Sequence, residues 1–171
     1  PPRPIDVNSF LSRHRGKRIL SAAGTGQALQ PIQKNLGKLP ENLRAIGVDP
    51  AAIDIVMLTH LHSDHSMGLL DEAKQKVFPN AELMVHEVEA EFWLDRTLQP
   101  SDDERIVRNS KAQRAVTAPN RVRRITDGHV LPRRTGLVRP GPTACHHNCP
   151  VQHSATAHPL RGAMMHMAAA P

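Results

Sequence analysis

The stretch Ile55-Val56-Met57-Leu58-Thr59-His60-Leu61-His62-Ser63-Asp64-His65 decides how this chain is read. Its first four residues form a β-branched, apolar run of the kind that makes a buried strand. Directly behind it stand His60, His62, Asp64 and His65, four metal-competent side chains within six positions. A strand ending in such a cluster delivers it to a loop at the sheet edge, where the groups can converge on a cation. A lone histidine there would read as part of a solvated loop. Four donors at this spacing read as a metal site. Neutral imidazole and carboxylate are ligands that Zn²⁺ accepts, at roughly 2.0–2.2 Å. His60 and His62 suit one ion and Asp64 and His65 a second. Two metals about 3.5–4 Å apart can clamp both the attacking and the leaving oxygen of a hydrolysis.

Working outward, Val7 to Leu11 and Lys17 to Leu20 read as a hairpin across Arg15-Gly16. Leu36, Leu39, Leu43 and Ile46 share a helical face, with Pro40 near the helix start and Gly47 closing it. A short helix is expected around 68–73, covering the metal loop. Leu83 to Val85 reads as a strand, and Glu87 to Leu94 as a helix with Val88, Phe92 and Trp93 packed inward. His86, beside that strand end, reads as structural. Residues 95–118 read as a polar, amphipathic helix over the site. Arg121 to Ile125 and Val130-Leu131 read as strands about the turn Thr126-Asp127-Gly128. From Pro132 onward periodicity vanishes, and no structure is expected.

These motifs resemble the metallo-β-lactamase superfamily, whose signature is His-x-His-x-Asp-His after a core strand. The likeness spans about residues 5–131. Phe78-Pro79-Asn80-Ala81-Glu82, Val85-His86-Glu87 and Glu91-Phe92-Trp93-Leu94 are similar to its lactonase and methyl parathion hydrolase branch. The resemblance implies an α/β fold, the N-terminal half of an αββα sandwich, at 5–131, with a degenerate or disordered tail at 132–171. It implies a zinc-dependent hydrolase with one or two ions. His60, His62 and His146 would hold the first, Asp64 and His65 would bind the second, and Asp64 would also be catalytic. The implied substrate is an ester, lactone or phosphotriester, attacked by a zinc-activated hydroxide.

Several residues depart from the family pattern. The second family motif corresponds to Pro140-Gly141-Pro142-Thr143-Ala144-Cys145-His146, where a histidine and a glycine are lost. Ala22 stands where the family usually has an aspartate, and Met67 where it has a glycine. From Gly128 to Pro171 there is no Asp or Glu, so the later bridging aspartate has no counterpart. The alternative expectation is therefore a degenerate, non-catalytic fragment with weak or no metal binding. The tail is also expected to be a shifted reading frame of the ancestral gene.

At 171 residues the chain suits one domain. Aromatic content is 2%, with no Tyr and one Trp, so the core must rely on Leu, Ile, Val and Met. The net charge of +6 is uneven: residues 1–95 carry ten Lys/Arg against twelve Asp/Glu, and 96–171 carry twelve against four. Arg121, Arg123 and Arg124 lack interleaved aromatics, which argues against a nucleic-acid partner. Cys145 and Cys149, near His146, His147 and His153, read as free thiols, since no second spaced ligand pair accompanies them. No run reaches the ~20 apolar residues of a membrane span. No signal peptide is visible, so the default expectation is a cytoplasmic protein. A half sandwich would leave one sheet face bare and favour a homo-oligomer through it.

Overall fold

The computed structural model describes residues 7–31, 34–126, 128–131, 134–139, 146–153 and 156–160, with the backbone alone at 28–29 and from 128 onward. A five-stranded sheet runs in sequence order through β1 (Phe10–His14), β2 (Lys17–Ser21), β3 (Ile55–Leu58), β4 (Glu82–His86) and β5 (Val122–Ile125). β1 and β2 are antiparallel, turning at Arg15 and Gly16, whose φ angles of 49° and 79° suit a tight hairpin. The remaining pairings, β2 to β5, are parallel. Parallel strands are covered on both faces, which explains the unbroken apolar run of β3.

Alternation along the strands divides the core. Leu20, Val56, Leu58, Leu83 and Val85 pack with Leu43, Leu69, Phe78, Trp93 and Val116. Ile19, Ile55, Met57, Met84 and Ile125 form a second buried cluster. Each fully buried side chain of this size contributes roughly 1.5–3 kcal/mol. The second cluster lies on the opposite face of the sheet. Its residues Ile19, Met84 and Ile125 are at 1%, 0% and 5% exposure.

The helices are α1 (Leu39–Ala45), α2 (Ser63–Ser66), α3 (Glu87–Ala90) and α4 (Glu104–Thr117). In α1, Leu43 is buried, but Ile46 beyond its end is exposed, so the expected apolar face is shorter than its spacing implied. The helix expected at 68–73 begins earlier: α2 contains Asp64 and His65, and a 3₁₀ turn follows at Met67–Leu69. Gly68, within that turn, is closely packed. A Cβ there would lie 2.0 Å from the Ala23 carbonyl oxygen, so the chain passes directly against the 22–26 turn. No helix among the described residues is long and apolar enough to cross a membrane.

β5 and the following strand do not form a hairpin. β6 (Gly128–Leu131) opens a second, antiparallel sheet with β7 (Arg134–Arg139), β8 (His146–His153) and β9 (Thr156–Leu160). Strands therefore occur where the sequence has no periodicity; backbone pairing does not require an alternating pattern. The remainder of 132–171 lies outside the described residues.

Candidate metal centre

The carboxyl ends of parallel strands form the crevice where open α/β sheets place their sites, and β3 ends there. Its chain bends at Thr59 and His60, dips Leu61 into the core at 0% exposure, and enters α2 after His62. His60 is buried at 2%, and its ring centroid lies 4.6 Å from that of His62 and 4.2 Å from that of His65. The ligand atoms of His60, His62 and Asp64 all lie within 4.8 Å of one another. Tetrahedral zinc places its ligands roughly 3.3 Å apart. A small contraction of this trio would meet that spacing.

Electrostatics follow from this crowding. Burial pushes the Asp64 carboxyl up, but hydrogen bonding from His65, the His65 charge, a backbone N–H and the His60 charge outweigh it, bringing it to about 2. Asp64 is thus anionic, with Oδ2 at 3.1 Å from His65 Nε2. Burial and the neighbouring His65 lower the His62 pKa against the pull of Asp64, favouring the neutral, ligating imidazole. Buried His65 Nδ1 has no hydrogen-bond partner among the described residues. A His62 imidazole held toward its neutral form, the adjoining His60 ring, an anionic carboxylate and an unsatisfied buried nitrogen suit a divalent cation.

The surroundings hold the loop. Ala23 N donates to the His65 carbonyl at 2.8 Å, and Gly68 N to the Gly24 carbonyl at 3.0 Å. The 22–26 turn therefore grips the metal loop through its backbone, although Ala22 carries no carboxylate. Thr59 Oγ1 lies 3.0 Å from His60 Nδ1, the kind of outer contact that orients a ligating ring. Met67 has φ −65°, an ordinary helical value, so no glycine is needed there. After α3 the helix widens into a π turn at Glu91–Asp95, and Trp93 meets the His62 ring edge-on at 5.8 Å.

Glu89 of α3 is 2% exposed, and its Oε2 accepts a hydrogen bond from Leu61 N at 2.7 Å. Burial raises its carboxyl from 4.5 to about 7, against lowering by the Leu61 N–H and the Trp93 indole. The Trp93 Nε1–H leans toward this carboxylate without meeting regular hydrogen-bond geometry.

Of the expected site residues, His60, His62 and Asp64 come together, and His65 sits beside them bonded to Asp64. His146 opens β8, but its side chain lies outside the described residues. His86 caps α3: its Nδ1 accepts from Val88 N at 3.3 Å. Sequence reasoning missed Glu89, Ser66 and Gln113. Glu89 had a usable signal: it precedes Trp93 by four residues, placing a carboxylate on a helical face expected to be apolar.

The metallo-β-lactamase superfamily model matches residues 2–153. The chain belongs to the metallo-β-lactamase superfamily. Superfamily members are metal-dependent hydrolases, and this chain supplies the His-x-His-x-Asp part of their site. No curated protein matches closely enough to count as a relative. Among solved structures, AbOPH, a hydrolase of the β-lactamase superfamily, is 25% identical with a TM-score of 0.77, matching 90% of this chain and 54% of its own. AidC, a dizinc quorum-quenching lactonase, is 21% identical with a TM-score of 0.70, over 86% and 52%. A probable metal-dependent hydrolase from Staphylococcus aureus is 19% identical with a TM-score of 0.72, over 89% and 56%. The chain thus spans about half the length of these structures.

Proposed function

We propose that this chain carries the water-activating half of a metal-dependent hydrolase acting on an ester, lactone or phosphotriester. The convergence of His60, His62 and Asp64 within 4.8 Å carries this reading. A bound Zn²⁺ would lower the pKa of a water toward neutrality and polarise the oxygen under attack. His60 and His62 supply nitrogen ligands, and His146 of β8 is the third candidate. Asp64, anionic above about pH 2, can accept a proton from the nucleophilic water or fix its orientation. His65 holds the Asp64 carboxylate from one side, leaving its other oxygen for a ligand or water.

A second reading has one observation in its favour. Residues 128–171 contain no Asp or Glu that could serve as a bridging carboxylate after the second motif. On that reading the chain binds a single ion weakly and does not turn over substrate. Metal analysis after zinc loading, combined with hydrolysis of a p-nitrophenyl ester, an N-acyl homoserine lactone and an aryl phosphotriester, separates the two. Hydrolysis that His60→Ala and His62→Ala abolish supports the enzyme. Zinc uptake without turnover of any of the three supports the second reading.

A further inference from the structure

Glu89 lies outside the ligand set yet is among the most deeply buried side chains of the described residues, at 2% exposure. Its Oε2 accepts the amide proton of Leu61, the single residue between His60 and His62, at 2.7 Å. That amide stands past the end of β3, which stops at Leu58, and so has no strand partner. Leu61 is itself at 0% exposure, where a backbone N–H must find an acceptor in the protein. A carboxylate is an expensive acceptor to bury, while a carbonyl or amide would satisfy the same donor more cheaply. At 2.7 Å the bond is short, and with both residues buried no water competes for either partner, so the donor is held firmly.

Fixing the Leu61 N–H fixes the peptide plane joining His60 to Leu61. Leu61 is the one residue between His60 and His62, whose rings lie 4.6 Å apart, so anchoring its peptide fixes the backbone from which both rings project. Trp93, four residues after Glu89, strengthens the arrangement by meeting the His62 ring at 5.8 Å. Backbone and ring are thus held by one helical segment.

We propose that Glu89 is a positioning residue for the metal loop, its hydrogen bond to Leu61 N setting the relative orientation of His60 and His62. This rests on the metal reading of those histidines. Loss of a contact that orients metal ligands typically weakens metal affinity roughly 10–100-fold.

The test compares Glu89→Met, Glu89→Asp and Glu89→Gln on two readouts. Exchange of the Leu61 amide proton in the metal-free protein reports the hydrogen bond itself. Zinc affinity, by competition with a chromophoric chelator, reports its consequence. Glu89→Met removes the acceptor and Glu89→Asp withdraws it by a methylene. Both should speed Leu61 exchange and weaken zinc binding roughly 10–100-fold. Glu89→Gln, whose amide oxygen accepts the same bond, should restore most of both. Unchanged Leu61 exchange in Glu89→Asp, or a zinc defect that Glu89→Gln fails to restore, overturns the proposal. If Glu89→Met does not fold, Glu89→Asp against Glu89→Gln decides on the same readouts. A parent chain that takes up no zinc refutes the metal reading instead, and Leu61 exchange then judges the clamp alone.

Discussion

Ser66 Oγ and the side-chain amide of Gln113 lie 2.6 Å apart in the buried seam between α2 and α4. Ser66 has one hydroxyl proton, and the His62 carbonyl is 2.9 Å from the same Oγ. That carbonyl already accepts from His65 N and Ser66 N, so the hydroxyl proton goes to Gln113 Oε1, the nearer acceptor. The helix over the site is thereby fastened to the metal loop.

Gln113→Leu should therefore cost roughly 1–3 kcal/mol, the penalty for leaving a buried polar partner unsatisfied. Urea denaturation of the metal-free chain measures it. A variant as stable as the parent would show that α4 is held to α2 by apolar packing alone.

The two residues after Ser66 should behave oppositely. Gly68→Ala would put a Cβ at 2.0 Å from the Ala23 carbonyl, whose own N–H is tied to the His65 carbonyl. Neither backbone can retreat without opening the metal loop, so a loss at or above the ~1–3 kcal/mol of ordinary overpacking is expected. Met67→Gly clashes with nothing and should cost the packing of its partly buried side chain together with roughly 0.5–1 kcal/mol for glycine in a helical turn. Parallel urea titrations of both variants check the contrast.

Ala22 occupies the left-handed region at φ 67°, where a Cβ costs roughly 1–2 kcal/mol. Ala22→Gly should raise stability by about 1 kcal/mol, partly offset by the larger unfolded-state freedom of glycine. A fall in the unfolding midpoint would contradict the strained turn.

Glu89 makes stability depend on pH. Its carboxyl stands at about 7 in the folded chain against an ordinary 4.5. The folded state therefore binds more protons than the unfolded state between those values. Stability from this group is full below about 4.5 and is lost as pH rises through about 7, by about 3 kcal/mol in all. Asp64 acts in the opposite sense and lower down: its stabilisation is present above 3.8 and lost as pH falls toward 2. Glu89→Gln should flatten the upper slope and leave the lower one. Urea midpoints across this range, parent against variant, test it.

Much of the fold could be read from particular residues. The hairpin at Arg15-Gly16, the apolar run of β3 and the helix closed by Gly47 rest on local preferences, and those survive in the structure. The metal trio was legible for the same reason, because its members lie within one loop. Glu89, Ser66 and Gln113 were not, since Glu89 meets Leu61 28 residues away and Ser66 and Gln113 meet across 47. A carboxylate, a hydroxyl and an amide on helices ordinarily signal solvent. Gly68 was hidden likewise: its tight approach to Ala23 is a tertiary contact, and the sequence pointed to Met67 beside it.

Zinc uptake tests the central claim most directly: equilibrium dialysis of the chain, followed by elemental analysis, for the parent and for His60→Ala, His62→Ala and Asp64→Ala. The account predicts at least one zinc per parent chain and loss of that ion in each of the three variants while the fold is kept. A folded parent that takes up no zinc, or variants that retain the parent's stoichiometry and affinity, would contradict it.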